Sequence, residues 1–178
     1  MSDKTHRRLC DLLALSRVPR WSIVPVLSPQ SVADHTFRVA VIYTELCAKL
    51  DQPVSVQSLL YILLHDGVES RTADIPGPFK RNHLDADSLR QAELAACPWV
   101  ADAPVIMERE KALIKAADLI ETFTYVQRWG VGTYASLVAG RIHRELTDHC
   151  KETNLDPQVM LWLCNRINTD DGRIEGMW

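Results

Sequence analysis

Four side chains of metal-binding type, His35, His65, Asp66 and Asp118, each fall in a stretch whose neighbours are apolar. On a helix running from about 32 to 50, positions 35, 39, 42 and 46 lie one above another, and the last three are Val39, Ile42 and Leu46. His35 therefore shares a buried stripe, and a core histidine satisfied by a backbone carbonyl is the plain alternative. His65 and Asp66 end the apolar run LLYILL, an interior setting in which an unpaired carboxylate is costly and a compensating cation is expected. Asp118 is the mid-segment carboxylate of ALIKAADLIETF, a helix with apolar residues nearly all round. Its alternative is an ion pair with Lys115 one turn earlier. Two imidazoles and two carboxylates make a mixed nitrogen and oxygen shell for zinc, cobalt, manganese or ferrous iron, as one ion or more. A divalent ion there would acidify water and stabilise charge on a phosphoryl oxygen, so hydrolysis of a phosphate ester is the chemistry these residues predict. Glu69 follows Asp66 by three residues and His65 by four. If the turn stays helical, its carboxylate lies beside the ligands and could orient the attacking water; otherwise it is a solvated turn carboxylate.

The elements that must position these groups read as helices throughout. Helical periodicity runs from Thr5 to Leu15, and then Pro19, Pro25 and Pro29 force an irregular, extended stretch. Ser31 caps the next helix, with Asp34 in a capping-box position. A shorter apolar helix spans Ser55 to Leu64. Residues 65 to 80 mix glycine, proline and charge and are expected to form one helical turn and then a loop. Further helices are predicted near 84 to 96, 104 to 129, 133 to 153 and 156 to 168, with Pro104 in a first turn and Gly130 and Gly132 as separators. The fold class is all-α, a single-domain helical bundle over residues 1 to 178.

With 178 residues, 47% hydrophobic and 24% charged, the chain has the balance of one globular domain. A net charge of -3 without a basic run argues against nucleic acid as a partner. No window approaches a membrane span, and the N-terminus lacks a signal-peptide core, so no membrane partner and a cytoplasmic location are expected. The five cysteines are odd in number and show no Cys-x-x-Cys spacing, and they read as reduced apolar residues rather than a disulfide or thiolate-zinc framework. His6, His83, His143 and His149 lack ligand spacing and read as surface residues.

The order His35, then His65-Asp66, then a distant Asp118 on a late helix resembles the HD-domain superfamily of metal-dependent phosphohydrolases. RWSIVP before the first ligand helix, and HDGVESRTADIPGPFK with Glu69, Asp74 and Ile75-Pro76, are similar to the 5′-deoxynucleotidases of that superfamily. That resemblance implies that Arg20 contacts substrate, Trp21 borders the sugar and base, Glu69 assists catalysis and Asp74 binds the sugar 3′-hydroxyl. The compact length and Ile23 bring the chain nearer to the phage dATP triphosphohydrolases. By that resemblance Trp21, Ile23 and Pro78 wall the adenine, and Lys80 and Lys115 hold the phosphate chain. The implied reaction is hydrolysis of dATP to deoxyadenosine and triphosphate, catalysed by Glu69 and Asp118. The implied cofactor is zinc, cobalt or manganese, the assembly a homo-oligomer and, for a phage-encoded chain, the location the host cytoplasm. Two alternatives stay open: a 5′-deoxynucleotidase acting on monophosphates, and a non-catalytic nucleotide-binding helical module. For single residues, Trp21 could instead anchor the proline-rich loop to the core, and Lys115 could be a lysine reaching solvent over an apolar helix.

Overall fold

In the computed structural model, which describes residues 3–99 and 104–169, regular structure among the described residues is helical, with only two isolated β-bridges. The chain divides into two compact units, residues 1–23, 29–37 and 55–106, and residues 24–28, 38–54 and 107–178.

The first unit begins with α1 (Asp3–Ala14) and a 3₁₀ turn, Leu15–Arg17. The proline-rich stretch then closes on itself, as the Arg20 amide donates to the Gln30 carbonyl at 2.9 Å and the Val32 amide to the Val18 carbonyl at 2.9 Å. That closure delivers the chain to α2 (Val32–Lys49). The expected capping box forms there with Asp in place of the usual Glu: Ser31 Oγ accepts from the Asp34 amide at 3.1 Å, and the Asp34 carboxylate accepts from the Ser31 amide at 3.0 Å. Helix α3 (Val56–Leu64) starts on a second cap, Ser55 Oγ accepting from the Ser58 amide at 3.0 Å. A turn over 65–68 leads into α4 (Glu69–Thr72), so the one helical turn expected after His65 is present. Helix α5 (Gly77–His83) occupies part of the stretch expected to be loop. Pro76 and Pro78 explain the difference, because a proline at the very start of a helix gives up an amide that has no partner there. Helix α6 (Ala86–Ala96) is capped by Asp85, which accepts from the Ser88 amide at 2.8 Å.

The second unit is built on α7 (Glu108–Trp129), which packs along α8 (Gly132–Thr153) and α9 (Pro157–Thr169). Residues 104–107 are extended rather than the first turn expected from Pro104; Glu110 Oε2 accepts from the Met107 amide at 2.9 Å and sets the helix start at Glu108. Gly132, at φ 79°, opens α8 in the left-handed region that favours glycine. His149 is half-buried rather than a surface residue, with Nε2 2.8 Å from the Ala112 carbonyl. The cysteines are free, and all but Cys10 are buried. No helix among the described residues is long and apolar enough to cross a membrane.

Glu121 on α7 is fully buried, with 0% exposure, and is met by Arg38 on α2, whose Nε donates to Oε1 at 2.7 Å. The Arg38 guanidinium also lies 5.7 Å from the Tyr125 ring centroid, and the Tyr125 hydroxyl donates to the Ser28 carbonyl at 2.7 Å. Truncating Arg38 removes a positive charge from beside a carboxylate that has no exposure to solvent. Arg38→Met is therefore expected to lower unfolding free energy by about 3 kcal/mol in urea titrations, and the double variant Arg38→Met, Glu121→Leu by less than the single one.

Candidate metal centre

His35 sits one turn into α2 on a face that also buries Val32, Thr36, Val39, Ile42, Tyr43 and Leu46, and it is itself 2% exposed. The apolar helix α3 carries the chain to His65 and Asp66 immediately after its last turn. One ligand atom from each of His35, His65 and Asp66 lies within 4.8 Å of the others, the arrangement of a group that could hold a metal ion.

The spacing fits chelation. Metal–ligand bonds of roughly 2.1 Å place neighbouring donors about 3 to 4 Å apart. Here Asp66 Oδ2 lies 3.2 Å from His65 Nε2 and 3.8 Å from His35 Nε2. The tautomer of His65 also fits, since its Nδ1 is 2.7 Å from the Ile62 carbonyl oxygen. A carbonyl only accepts, so Nδ1 carries a proton and Nε2 is the ring nitrogen turned toward Asp66. Tyr61 stacks on the same imidazole at 6.0 Å and restricts its rotation.

Glu69, the first residue of α4, is 6% exposed, and its amide donates to the Asp66 carbonyl at 2.9 Å. Burial, then the nearby charge of Asp66, pushes its carboxyl up to about 7, while Lys80 pulls the other way and Asp74 adds to the rise. Lys80 Nζ donates to Glu69 Oε1 at 3.2 Å. The group is thus able to take or give a proton near neutral pH.

The remaining residues singled out in the sequence divide into two sets. Trp21, at φ 65°, donates its indole N–H to Gln30 Oε1 at 2.8 Å, and the Arg20 guanidinium lies 5.7 Å from its ring centroid. Ile23 is half exposed and Asp74 half-buried; the side chain of Pro78 lies outside the described residues. Asp118 belongs to the second unit, as does Lys115. It is half-buried rather than enclosed, and Lys115 Nζ donates to its Oδ2 at 2.9 Å and lies 3.6 Å from Glu145 Oε1. Those two carboxylates raise the Lys115 ammonium pKa despite an opposing effect of burial, which is the largest influence on it. The Lys115–Asp118 pair at one-turn spacing is thus present. The fully enclosed carboxylate of ALIKAADLIETF is Glu121, one turn beyond it, which the sequence reading missed by treating Asp118 as the segment's one mid-helix acid. A second acid of that helix, at the spacing of a shared face, was the signal available.

Residues 13–97 match the family model described as HD domain. The chain is 29% identical over 155 residues to the dATP triphosphohydrolase of cyanophage S-2L, covering 83% of this chain and 88% of the relative. It is 28% identical over 169 residues to the dATP triphosphohydrolase of Salmonella phage PMBT28, covering 85% and 84%. Among solved structures, the cyanophage S-2L HD phosphohydrolase (DatZ), bound to dA and one catalytic Zn2+ ion, is similar with a TM-score of 0.78 and 27% identity, covering 89% of this chain and 92% of that one.

The raised carboxyl of Glu69 sets a pH dependence for metal-free protein. A carboxyl whose folded pKa of about 7 exceeds the unfolded value of 4.5 favours the folded state while protonated. That contribution is complete below pH 4.5 and is lost as pH rises through 7, a change on the order of 3 kcal/mol. In chelator-treated protein, Glu69→Gln should raise Tm at pH 8 and leave it nearly unchanged at pH 4; equal shifts at both would show that the carboxyl is not raised.

Proposed function

We propose that this chain is an HD-domain metal-dependent phosphohydrolase, a dATP triphosphohydrolase releasing deoxyadenosine and triphosphate, because residues 13–97 match the HD-domain model and the chain is similar over most of its length to two phage dATP triphosphohydrolases. The observation that carries the reading is the convergence of His35, His65 and Asp66 in a chain so similar to a phosphohydrolase that holds dA and zinc. The matches to both phage relatives extend over most of the chain, which supports treating residues 1 to 178 as one functional domain.

His35, His65 and Asp66 would hold zinc, cobalt or manganese, and the order of the family motif supports Asp118 as the fourth ligand. A divalent ion supplies Lewis-acid stabilisation of charge on the α-phosphate and makes water more acidic. Glu69 takes the proton from the attacking water, whose oxygen forms a bond to the α-phosphorus. The bond from that phosphorus to the 5′-oxygen breaks, the 5′-oxygen takes a proton from solvent to give deoxyadenosine, and Glu69 returns its proton to solvent. Lys80 and Lys115, paired with Glu69 and with Asp118 and Glu145, would exchange carboxylate for phosphate oxygens. Arg20 offers a forked set of donors to a phosphate, and Asp74 accepts from the sugar 3′-hydroxyl. Trp21, Ile23 and Pro78 would wall the adenine. An apolar wall disfavours bases with an added exocyclic amine, because burying an unpaired amine costs a few kcal/mol. A homo-oligomer in the cytoplasm completes the proposal.

Purified protein with Mn2+ or Co2+ is expected to convert dATP to deoxyadenosine and triphosphate, separated by ion-exchange chromatography, and to stop on addition of a chelator. Phosphate released from dAMP with no triphosphate from dATP would instead identify a 5′-deoxynucleotidase. Glu69→Ala should lower kcat at least about tenfold, the usual worth of a positioned acid or base. An unchanged kcat would remove Glu69 from the proton transfer, and no turnover of either nucleotide would favour a binding module.

A further inference from the structure

Behind the His65-Asp66 turn lies a buried polar cluster that takes no part in the proposed chemistry. Asp11 of α1 is 5% exposed, yet accepts from Arg71 Nε at 2.7 Å, from the Trp99 indole N–H at 3.0 Å and from the Cys97 thiol at 3.9 Å. Arg71 also approaches the same carboxylate through Nη2 at 2.5 Å. Trp99, 3% exposed, is thereby fixed in one orientation and packs with Val68, Cys97, Leu12 and Leu64. Its ring lies directly against Gly67. A Cβ added at Gly67 would overlap Cη2 of Trp99 and come within 3.0 Å of Cζ2 and of the Leu64 carbonyl oxygen.

The residues around this turn therefore separate by role. His65, Asp66 and Glu69 supply the donors and the proton acceptor, whereas Gly67, Val68 and Arg71 are held from behind. The Ser70 hydroxyl donates to the Gly67 carbonyl at 2.8 Å and ties the turn to α4. A ligand pair placed just past a helix end would otherwise be free to shift, and donor positions must hold to a fraction of an ångström for tight chelation. We propose that Trp99, locked by Asp11 and seated against Gly67, is a positioning residue that sets the His65-Asp66 turn for metal binding. The inference rests on reading His65 and Asp66 as metal ligands.

The test is titration of chelator-treated protein with Co2+, followed by visible absorption, for the wild type, Gly67→Ala, Trp99→Phe and the double variant, with His65→Ala as the site control and thermal melts of each. Gly67→Ala is expected to weaken Co2+ binding at least about tenfold, the scale of lost support to a ligand. Phe leaves room for the new methyl, so the double variant should bind more tightly than Gly67→Ala alone, a rescue that general destabilisation would not produce. Asp11→Asn, which keeps the side-chain shape, should weaken Co2+ binding while the helical circular dichroism is retained, and it decides the matter if Gly67→Ala does not fold. Wild-type affinity in a folded Gly67→Ala, a double variant no better than the single one, or wild-type affinity in Asp11→Asn would each overturn the proposal. A wild type without a Co2+ signal lost in His65→Ala would overturn the metal reading, and this inference with it.

Discussion

A carboxylate withdrawn from water must be matched by positive charge or give up its own, and the interior of this protein is arranged around that demand. Asp11 is met by Arg71 and an indole N–H, and Glu121 by Arg38. Glu69 is met only in part, because Lys80 on one side is opposed by Asp66 and Asp74 on the other, and its carboxyl rises accordingly. Asp66 faces two imidazoles rather than a fixed cation. The first two carboxylates are structural, with their charge answered inside the fold. The other two lie beside a site whose positive charge an ion is suited to bring.

The backbone shows a related contrast. Trp21 and Ala73 both adopt positive φ, at 65° and 59°, without the freedom of glycine, and Ala73 has ψ 171°, a region essentially reserved for glycine. Such conformations cost about 1–3 kcal/mol each and persist where surrounding contacts impose them. Trp21 is tied to Gln30, which is buried at the end of the loop that delivers α2. Ala73 directly precedes Asp74. Both positions lie within or beside segments proposed above to meet the substrate.

Much of this was legible in the residues. The stripe of α2 is a periodic pattern, and it places His35 in the interior. The cap at Ser31 is a chemical signal at a fixed offset and gives the start of α2 to within a residue. Errors came where proline has two meanings: Pro78 sits inside a helical start that was expected to be loop, and Pro104 precedes one by several residues. Local sequence does not distinguish those cases, because the choice depends on whether the next amides find partners.

Sequence alone determined the helical class, the burial of His35, and the pairing of His65 with Asp66 at the end of an apolar helix, since all three follow from periodicity and from the cost of burying charge. Tertiary structure alone decided which acid of α7 is enclosed, that Arg38 answers it, and that a tryptophan over thirty residues downstream stands behind the ligand turn. Those are contacts between residues distant in the chain, and a linear pattern states which faces are apolar without stating what each face meets.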